Sequence, residues 1–198
     1  MEWDDLFMLM AADSGRARAA GGNGMKPGPD DISPFGQQSR AQRVRAAGNL
    51  VNLSTLAGLL VARLGGCTRQ RGPYGLTLAE GYRFRFPVAS AFTIGDVVIT
   101  AHTFAALQQR MPRLLEHEER HSWQYFWCLG LPFFLPYTAA MGWSMLRTGD
   151  RAARNLFERH AGLADGGYPD LPIIPLAAQA RRMAARLRNW PHSVRRSG

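Results

Sequence analysis

Residues 117–121 are His117-Glu118-Glu119-Arg120-His121, and this stretch limits the folds and chemistries open to the chain. Two residues four positions apart on an α-helix differ by about 40° in direction and about 6 Å in height, so His117 and His121 can hold one metal ion. Zn²⁺ binds neutral imidazole readily, and we predict it as the cofactor. Glu118 lies one step further round the helix, where it can act as general base towards an activated water.

The residues on either side of this motif predict the helix that it needs. Pro112 stands where a first helical position is expected, and Gly130 and Pro132 end a helix that should run to about Cys128. The alternative is a charged helix face in solvent whose histidines are incidental. The helical context favours the metal site over this alternative.

A zinc site of this kind needs a third protein ligand, and residues 154–162 offer two candidates. Glu158 and His160 are two positions apart, hence about 200° apart on a helix, so only one of them can point at the metal. The compact metzincin pattern requires glycine at position 124 and histidine at position 127, where this chain has Gln124 and Trp127. We therefore favour Glu158, with a surface glutamate outside the site as the alternative.

Three stretches of the chain resemble a known family. Ile94–Ile99, Leu115–Gln124 and Asn155–Ala161 are similar to the strand, the motif helix and the glutamate-bearing segment of bacterial HExxHxxQ zincin-like proteins. That family includes DUF4157-type and Rhs-associated metallopeptidase-like domains. The resemblance covers about residues 90–164.

Position by position, the resemblance implies a zinc-dependent metallopeptidase that acts on a peptide or protein substrate. It implies His117, His121 and Glu158 as the Zn²⁺ ligands and Glu118 as the base. Gln124 has a supporting or packing role in this scheme. Further candidates for supporting the site or contacting substrate are Asn155, His102 and His160. The donor for a developing oxyanion stays open among Tyr137, His102 and several arginines.

The expected fold is α+β and mainly α, a zincin-like helical domain over residues 41–190 with a small antiparallel sheet before the motif helix. Tyr82–Phe86 alternates aromatic and charged residues, and Phe92–Thr100 is largely apolar, so both are strand candidates. Within the second, Val97–Thr100 is our candidate for an edge strand that could pair with an extended peptide. Helices are predicted over residues 46–64, 101–109, 151–164 and 177–190.

The segment Trp123–Leu146 contains no charged residue. It is long enough to raise the possibility of a membrane span, but Pro132 and Pro136 interrupt it. We favour a buried helical hairpin with a bent entrance over a segment embedded in or resting on a membrane. The segment also motivates an alternative function, a catalytically silent, membrane-associated interaction protein with a structural metal site.

The two ends of the chain differ in composition from the middle. Residues 1–40 mix Gly, Ser, Pro and scattered charge and are predicted to be a flexible arm, and residues 191–198 form a basic tail. The net charge of +9 owes much to arginines near the C-terminus, without a recognisable nucleic-acid motif, which disfavours nucleic acid as a partner. Cys67 and Cys128 are expected to be free thiols.

The N-terminal residues Met1-Glu2-Trp3-Asp4-Asp5 carry acid where a secretory signal needs Lys or Arg. We therefore expect no signal peptide. The expected location is the cytoplasm. The alternative is a cytoplasmic protein attached to a membrane through residues 123–146.

Overall fold

The computed structural model describes residues 38–87, 89–178, 181, 184 and 185. The predicted arm over residues 1–40 lies outside the described residues except for its last three, as do the basic tail over 191–198 and most of the helix predicted over 177–190. Within the described part, helices surround one small sheet, which confirms the α+β, mainly α fold class.

The elements follow one another with short connections. The helices are α1 (Arg40–Val51), α2 (Ser54–Leu64), α3 (Phe104–Arg110), α4 (Leu114–Trp127), α5 (Phe134–Thr148) and α6 (Leu156–Ala161). The strands are β1 (Thr68–Arg71), β2 (Thr77–Glu80), β3 (Phe92–Ile94) and β4 (Val97–Thr100). The motif helix, α4, begins two residues later than Pro112 suggested.

The single helix predicted over residues 46–64 is in fact two helices. α1 ends at Val51, α2 begins at Ser54, and the chain bends by 73° between them. Leu53 has a φ of 68°, and Asn52 Oδ1 accepts hydrogen bonds from the backbone N–H and the hydroxyl of Ser54. The asparagine side chain therefore starts a new helix where the leucine period alone predicted a continuous one.

The sheet is mixed, so the prediction of a purely antiparallel sheet is wrong. Its strand order is β1-β2-β4-β3, with antiparallel outer pairs and a parallel central pair, β2 and β4. β2 and β4 are parallel because the chain between them, which includes β3, runs back to the end of the sheet where β2 began. β4 therefore starts at the same end as β2. β4 is buried and interior, so the edge strand on this side of the sheet is β3 and not Val97–Thr100.

Tyr82–Phe86 is not a strand, contrary to the prediction from its alternating residues. Gly81, with a φ of 82°, turns the chain after β2, and Phe84 and Phe86 are 55% and 81% exposed. Alternation predicts a strand only where a neighbouring strand can pair with it and a core can cover its apolar face. No described strand pairs with this segment, and of its aromatic residues only Tyr82 packs against the core.

The uncharged segment Trp123–Leu146 spans the end of α4 and most of α5. The chain turns sharply between them at Leu129 and Gly130, which both have positive φ, so the bent entrance is observed. Phe133 is buried, but Leu129 and Leu135 are 76% and 75% exposed, so the expectation of a buried segment holds for one face only. In the described part of the chain no single helix is long and apolar enough to cross a membrane, and only the bent pair of α1 and α2 meets that test together.

A buried polar network joins α1, the β3–β4 turn and the rear of α4. Arg45 is fully buried and donates to Asp96 Oδ1 at 3.0 Å and to Glu119 Oε1 at 3.1 Å. Asn49 donates to Asp96 Oδ1 and to the carbonyl oxygen of Ser122, and the Ser122 hydroxyl donates to Asp96. These bonds fix the motif helix against the sheet.

We expect Arg45→Met to lower the free energy of unfolding by about 3–5 kcal/mol, because the Asp96 carboxylate would then be buried without its counter-charge. Urea unfolding followed by circular dichroism measures this change. Arg113→Met is the matched control, since the side chains of its pair with Glu116 are 57% and 37% exposed and such pairs contribute about 1 kcal/mol or less. Equal losses in the two variants would contradict the anchoring role of Arg45.

Candidate metal centre

The motif helix buries the side chains that carry the predicted chemistry. Leu114 and Leu115 anchor the start of α4 in a hydrophobic cluster with residues of β2, β4 and α3. His117, Glu118 and His121 are 2%, 3% and 8% exposed. A charged helix face in solvent would leave Glu118 exposed, so that alternative does not describe α4.

Glu158 reaches the site because of how α6 begins. Only Leu156–Ala161 of the helix predicted over residues 151–164 is helical, since Asn155 Oδ1 accepts a hydrogen bond from Phe157 N and caps the helix there. Phe157 packs into the core beside aromatic residues of α4 and of the turn before α5. Glu158, 2% exposed, is thereby held against α4.

Three ligand atoms converge between α4 and α6. His117 Nε2 and His121 Nε2 are 3.0 Å apart, and Glu158 Oε2 lies 3.3 Å and 3.5 Å from them. In tetrahedral zinc coordination with bonds of about 2.0–2.1 Å, neighbouring ligand atoms are about 3.3–3.4 Å apart. The spacing of the three atoms therefore fits one Zn²⁺, and the structure brings together the ligand set that the sequence suggested.

Hydrogen bonds on the far side of each ring determine which nitrogen carries the proton. His117 Nδ1 lies 3.1 Å and 3.0 Å from the carbonyl oxygens of residues 161 and 162, and His121 Nδ1 lies 2.8 Å from Gln124 Oε1. Because these oxygens only accept, both Nδ1 atoms carry a proton and both Nε2 atoms face the shared space. In that space Glu158 Oε2 has no hydrogen-bond partner among the described residues. Such electron-rich atoms need a cation between them.

The closeness of Glu158 to the two imidazoles also determines the ionisation states of the metal-free site. Burial opposes ionisation of Glu158, but the two neighbouring imidazoles outweigh it and hold the pKa of this carboxyl well below its ordinary value. Burial also opposes protonation of His121, but the Glu158 carboxylate outweighs it and raises the pKa of His121 to about 9. At neutral pH a proton on His121 therefore takes the place of the metal ion when none is bound.

Gln124 links the two ligand-bearing helices. Its buried amide accepts from His121 Nδ1 through Oε1 and donates through Nε2 to Phe157 O at 3.0 Å. His160 Nδ1 lies 3.3 Å from the same Nε2, so His160 contacts Gln124 and not the converging ligand atoms. His102 is exposed before α3 and does not belong to this group of atoms.

Glu118 is held beside the ligands by a residue that sequence reasoning missed. Glu118 Oε2 accepts a hydrogen bond of 2.7 Å from the hydroxyl of Thr93, which is buried on the edge strand β3. The charge of Glu118 also contributes to the raised pKa of His121. Threonine is common in strands for its β-branched shape alone, so the sequence gave no sign of this contact.

Two tyrosines complete the surroundings of the site. The hydroxyl of Tyr137 donates to Glu158 Oε1 and thus holds the carboxylate, and the ring of Tyr168 lies 6.1 Å from the His117 ring between centroids. Burial and the nearby carboxylate of Glu158 raise the pKa of both hydroxyls. Both tyrosines therefore stay protonated and can donate. Tyr168 follows a glycine-rich turn and carried no recognisable signal in the sequence.

The loop after α6 packs against the first histidine. A Cβ on Gly166 would lie 2.5 Å from His117 Cε1, so this close approach requires glycine. Asp165 in the same loop pairs with Arg120 at 2.9 Å and with Arg113 at 3.4 Å. Arg120, the fourth residue of the motif, thus holds this loop against the candidate metal centre.

We expect Gln124→Leu to weaken zinc binding by about 10- to 100-fold, because it removes the acceptor that fixes the ring and tautomer of His121. Competition with a chelator of known zinc affinity measures this loss. Gln108→Leu, at an exposed position of α3, is the matched control and should bind zinc as the wild type does. Unchanged affinity in Gln124→Leu would show that His121 needs no such support.

We expect zinc affinity to rise about tenfold per pH unit from neutrality to about pH 9, because zinc must displace the proton of His121. The stability of the metal-free protein changes in the opposite direction and falls as the pH rises. The folded-state pKa of His121, about 9, lies above the ordinary 6.5, so the stability from its pair with Glu158 is fully present below pH 6.5 and is lost as pH rises through 9. Calorimetry in buffers of different ionisation enthalpy measures the proton released, and zinc binding without proton release near pH 7.5 would contradict this assignment.

Comparisons of this chain with protein-family models, with curated proteins and with solved structures find no match. The resemblance of residues 90–164 to HExxHxxQ zincin-like proteins therefore stays a prediction.

Proposed function

We propose that this protein is a zinc-dependent metallopeptidase in which Glu118 is the general base. The observation that carries the proposal is the convergence of His117 Nε2, His121 Nε2 and Glu158 Oε2, the last without a hydrogen-bond partner among the described residues. Two imidazoles and one carboxylate are the protein ligands of one class of catalytic zinc sites. When bound there, zinc supplies Lewis acidity and lowers the pKa of water towards neutrality.

The contacts of Glu118 support a role in proton transfer, since it is not among the three residues that converge as possible metal ligands. Thr93 holds one of its carboxylate oxygens at 2.7 Å, and the neighbouring ligands lie on the same helix. A glutamate in this position can accept the proton of the attacking water and deliver it to the nitrogen of the leaving amine, so the proton count of hydrolysis balances. β3, which carries Thr93, is an edge strand that can pair with the main chain of an extended peptide.

Tyr168 is our candidate donor to the carbonyl oxygen on which negative charge develops. The hydroxyl of Tyr137 is already engaged with Glu158 Oε1, whereas the ring of Tyr168 lies beside His117. The raised pKa of Tyr168 keeps its proton in place for donation. A preorganised donor of this kind stabilises the transition state more than the ground state.

The alternative function is a membrane-associated interaction protein that keeps a structural metal without turnover. Burial is the observation that favours it, because His117, His121 and Glu158 are all at least nine-tenths buried and Gly166 lies against His117. Structural zinc sites are closed to solvent, whereas catalytic sites keep one coordination position open. A single set of variants separates the two functions.

We expect Glu118→Gln to lower peptide cleavage by about 100-fold or more without loss of zinc, because the amide cannot accept the proton. His117→Ala should lose both zinc and cleavage. Product formation from a peptide library is followed by mass spectrometry, and bound zinc by elemental analysis. Glu116→Gln, at a half-exposed position of the same helix, is the matched control and should retain both properties.

Each unexpected result rejects a different part of the proposal. Cleavage by Glu118→Gln at the wild-type rate would exclude Glu118 as the base. Equal zinc content in the wild type and His117→Ala would reject the metal centre. Stoichiometric zinc together with no cleavage of any library peptide by the wild type would favour the structural alternative.

A further inference from the structure

The outer face of α2 carries a stripe of exposed leucines. Leu53, Leu56, Leu60 and Leu64 follow one another at intervals of three or four residues and therefore lie along one side of the helix. They are 58%, 47%, 56% and 65% exposed, while the opposite side of α2 is buried against β3 and β4. A surface helix normally has polar residues on its outer face, so this stripe indicates an interaction surface.

The segment Tyr82–Phe86 extends the stripe at the C-terminal end of α2. The segment touches that end directly, since a Cβ on Gly65 would lie 2.2 Å from the Tyr82 ring. Phe84 and Phe86 are 55% and 81% exposed beside it. Phe84 and Phe86 thus belong to this surface, whereas Tyr82 packs against the core and against Phe92 of β3.

The turn after α4 extends the stripe at the other end of α2. Gly130 lies so close to the α1–α2 corner that a Cβ on it would be 2.7 Å from Asn52 O. Leu129 and Leu131, on either side of Gly130, are 76% and 41% exposed. We call the whole set the α2 surface: Leu53, Leu56, Leu60, Leu64, Phe84, Phe86, Leu129 and Leu131.

Arginines outnumber acids in the stretch of sequence that carries most of the α2 surface. Between Arg45 and Asp96 the chain has a single acid, Glu80, whose Oε1 accepts a hydrogen bond from Phe104 N. The same stretch has five arginines, all exposed: Arg63, Arg69, Arg71, Arg83 and Arg85. Apolar side chains combined with cations match an anionic bilayer, because acyl chains accept the former and lipid phosphates the latter.

This charge pattern distinguishes a bilayer from other occupants. A second copy of the chain packed on the same surface would bring arginines close to arginines, which like-charge repulsion opposes. A nucleic acid would use the arginines but would leave the leucine stripe in water. α2 has 11 residues and is about 16 Å long, too short to span a bilayer but suited to lie along its surface.

We propose that the α2 surface docks this protein on an anionic lipid bilayer. Its leucines and phenylalanines enter the headgroup region, and the flanking arginines bind lipid phosphates. The proposal does not rest on the peptidase function, since neither the ligands nor Glu118 take part.

The test is co-sedimentation of the full chain with vesicles of phosphatidylcholine alone and with vesicles that also contain phosphatidylglycerol. We expect binding to the anionic vesicles that weakens as salt is raised. The double variant Leu60→Gln with Phe86→Ser and the double variant Arg83→Gln with Arg85→Gln should each lower this binding by about tenfold or more. Circular dichroism and the urea midpoint of each variant verify that it is folded.

The controls change similar residues elsewhere on the molecule. Ile173→Ser replaces an apolar residue that is 50% exposed, and Arg110→Gln replaces an exposed arginine of α3, so both should bind vesicles as the wild type does. The proposal is overturned if the wild type does not bind anionic vesicles, or if the folded double variants bind these vesicles as the wild type does. A dimer that Leu60→Gln with Phe86→Ser converts to a monomer, in a protein that binds no vesicles, would instead assign the surface to a second copy.

Discussion

Three electron-rich atoms enclosed together in a protein interior must share a cation, and this constraint underlies the site described above. The helical spacing of His117 and His121 brings two imidazoles together, and the capped start of α6 adds the Glu158 carboxylate. Carbonyl oxygens behind the rings direct both protons away from the centre. The buried group is therefore complete only with a proton or a metal ion between its members, and zinc coordination matches its spacing.

Every residue of the motif has a role in the fold. His117 and His121 face α6, Glu118 meets Thr93 on the edge of the sheet, and the two central residues fasten α4 from other sides. Glu119 receives Arg45 from α1, and Arg120 holds Asp165 in the loop after α6. The helix is thus fixed on several sides at once, which is what a site that depends on ångström distances requires.

The sequence was informative where functional residues lie a few positions apart on one helix. It yielded the fold class, the motif helix and the neighbourhood of Gln124, and it singled out His117, His121 and Glu158, which the structure brings together. Prediction from the sequence failed where contacts between distant segments determine the secondary structure or the surroundings of the site. Asn52 broke a helix that the leucine period predicted, and Tyr82–Phe86 had no strand to pair with. Thr93, Gly166 and Tyr168 reach the site through the tertiary fold alone, so no local pattern could single them out.

The position of the site within the fold also bears on how a metal ion would bind. The rear of α4 is held by the network of Arg45 and Asp96, and its start by the cluster around Leu114, and neither contains a ligand atom. α6 is held to α4 by Phe157 in the core and by the amide of Gln124. Both ligand-bearing helices are therefore positioned by contacts that need no metal, unlike small zinc domains that fold only on metal binding. A metal ion bound here as proposed would therefore compete with one proton and would not have to order the chain.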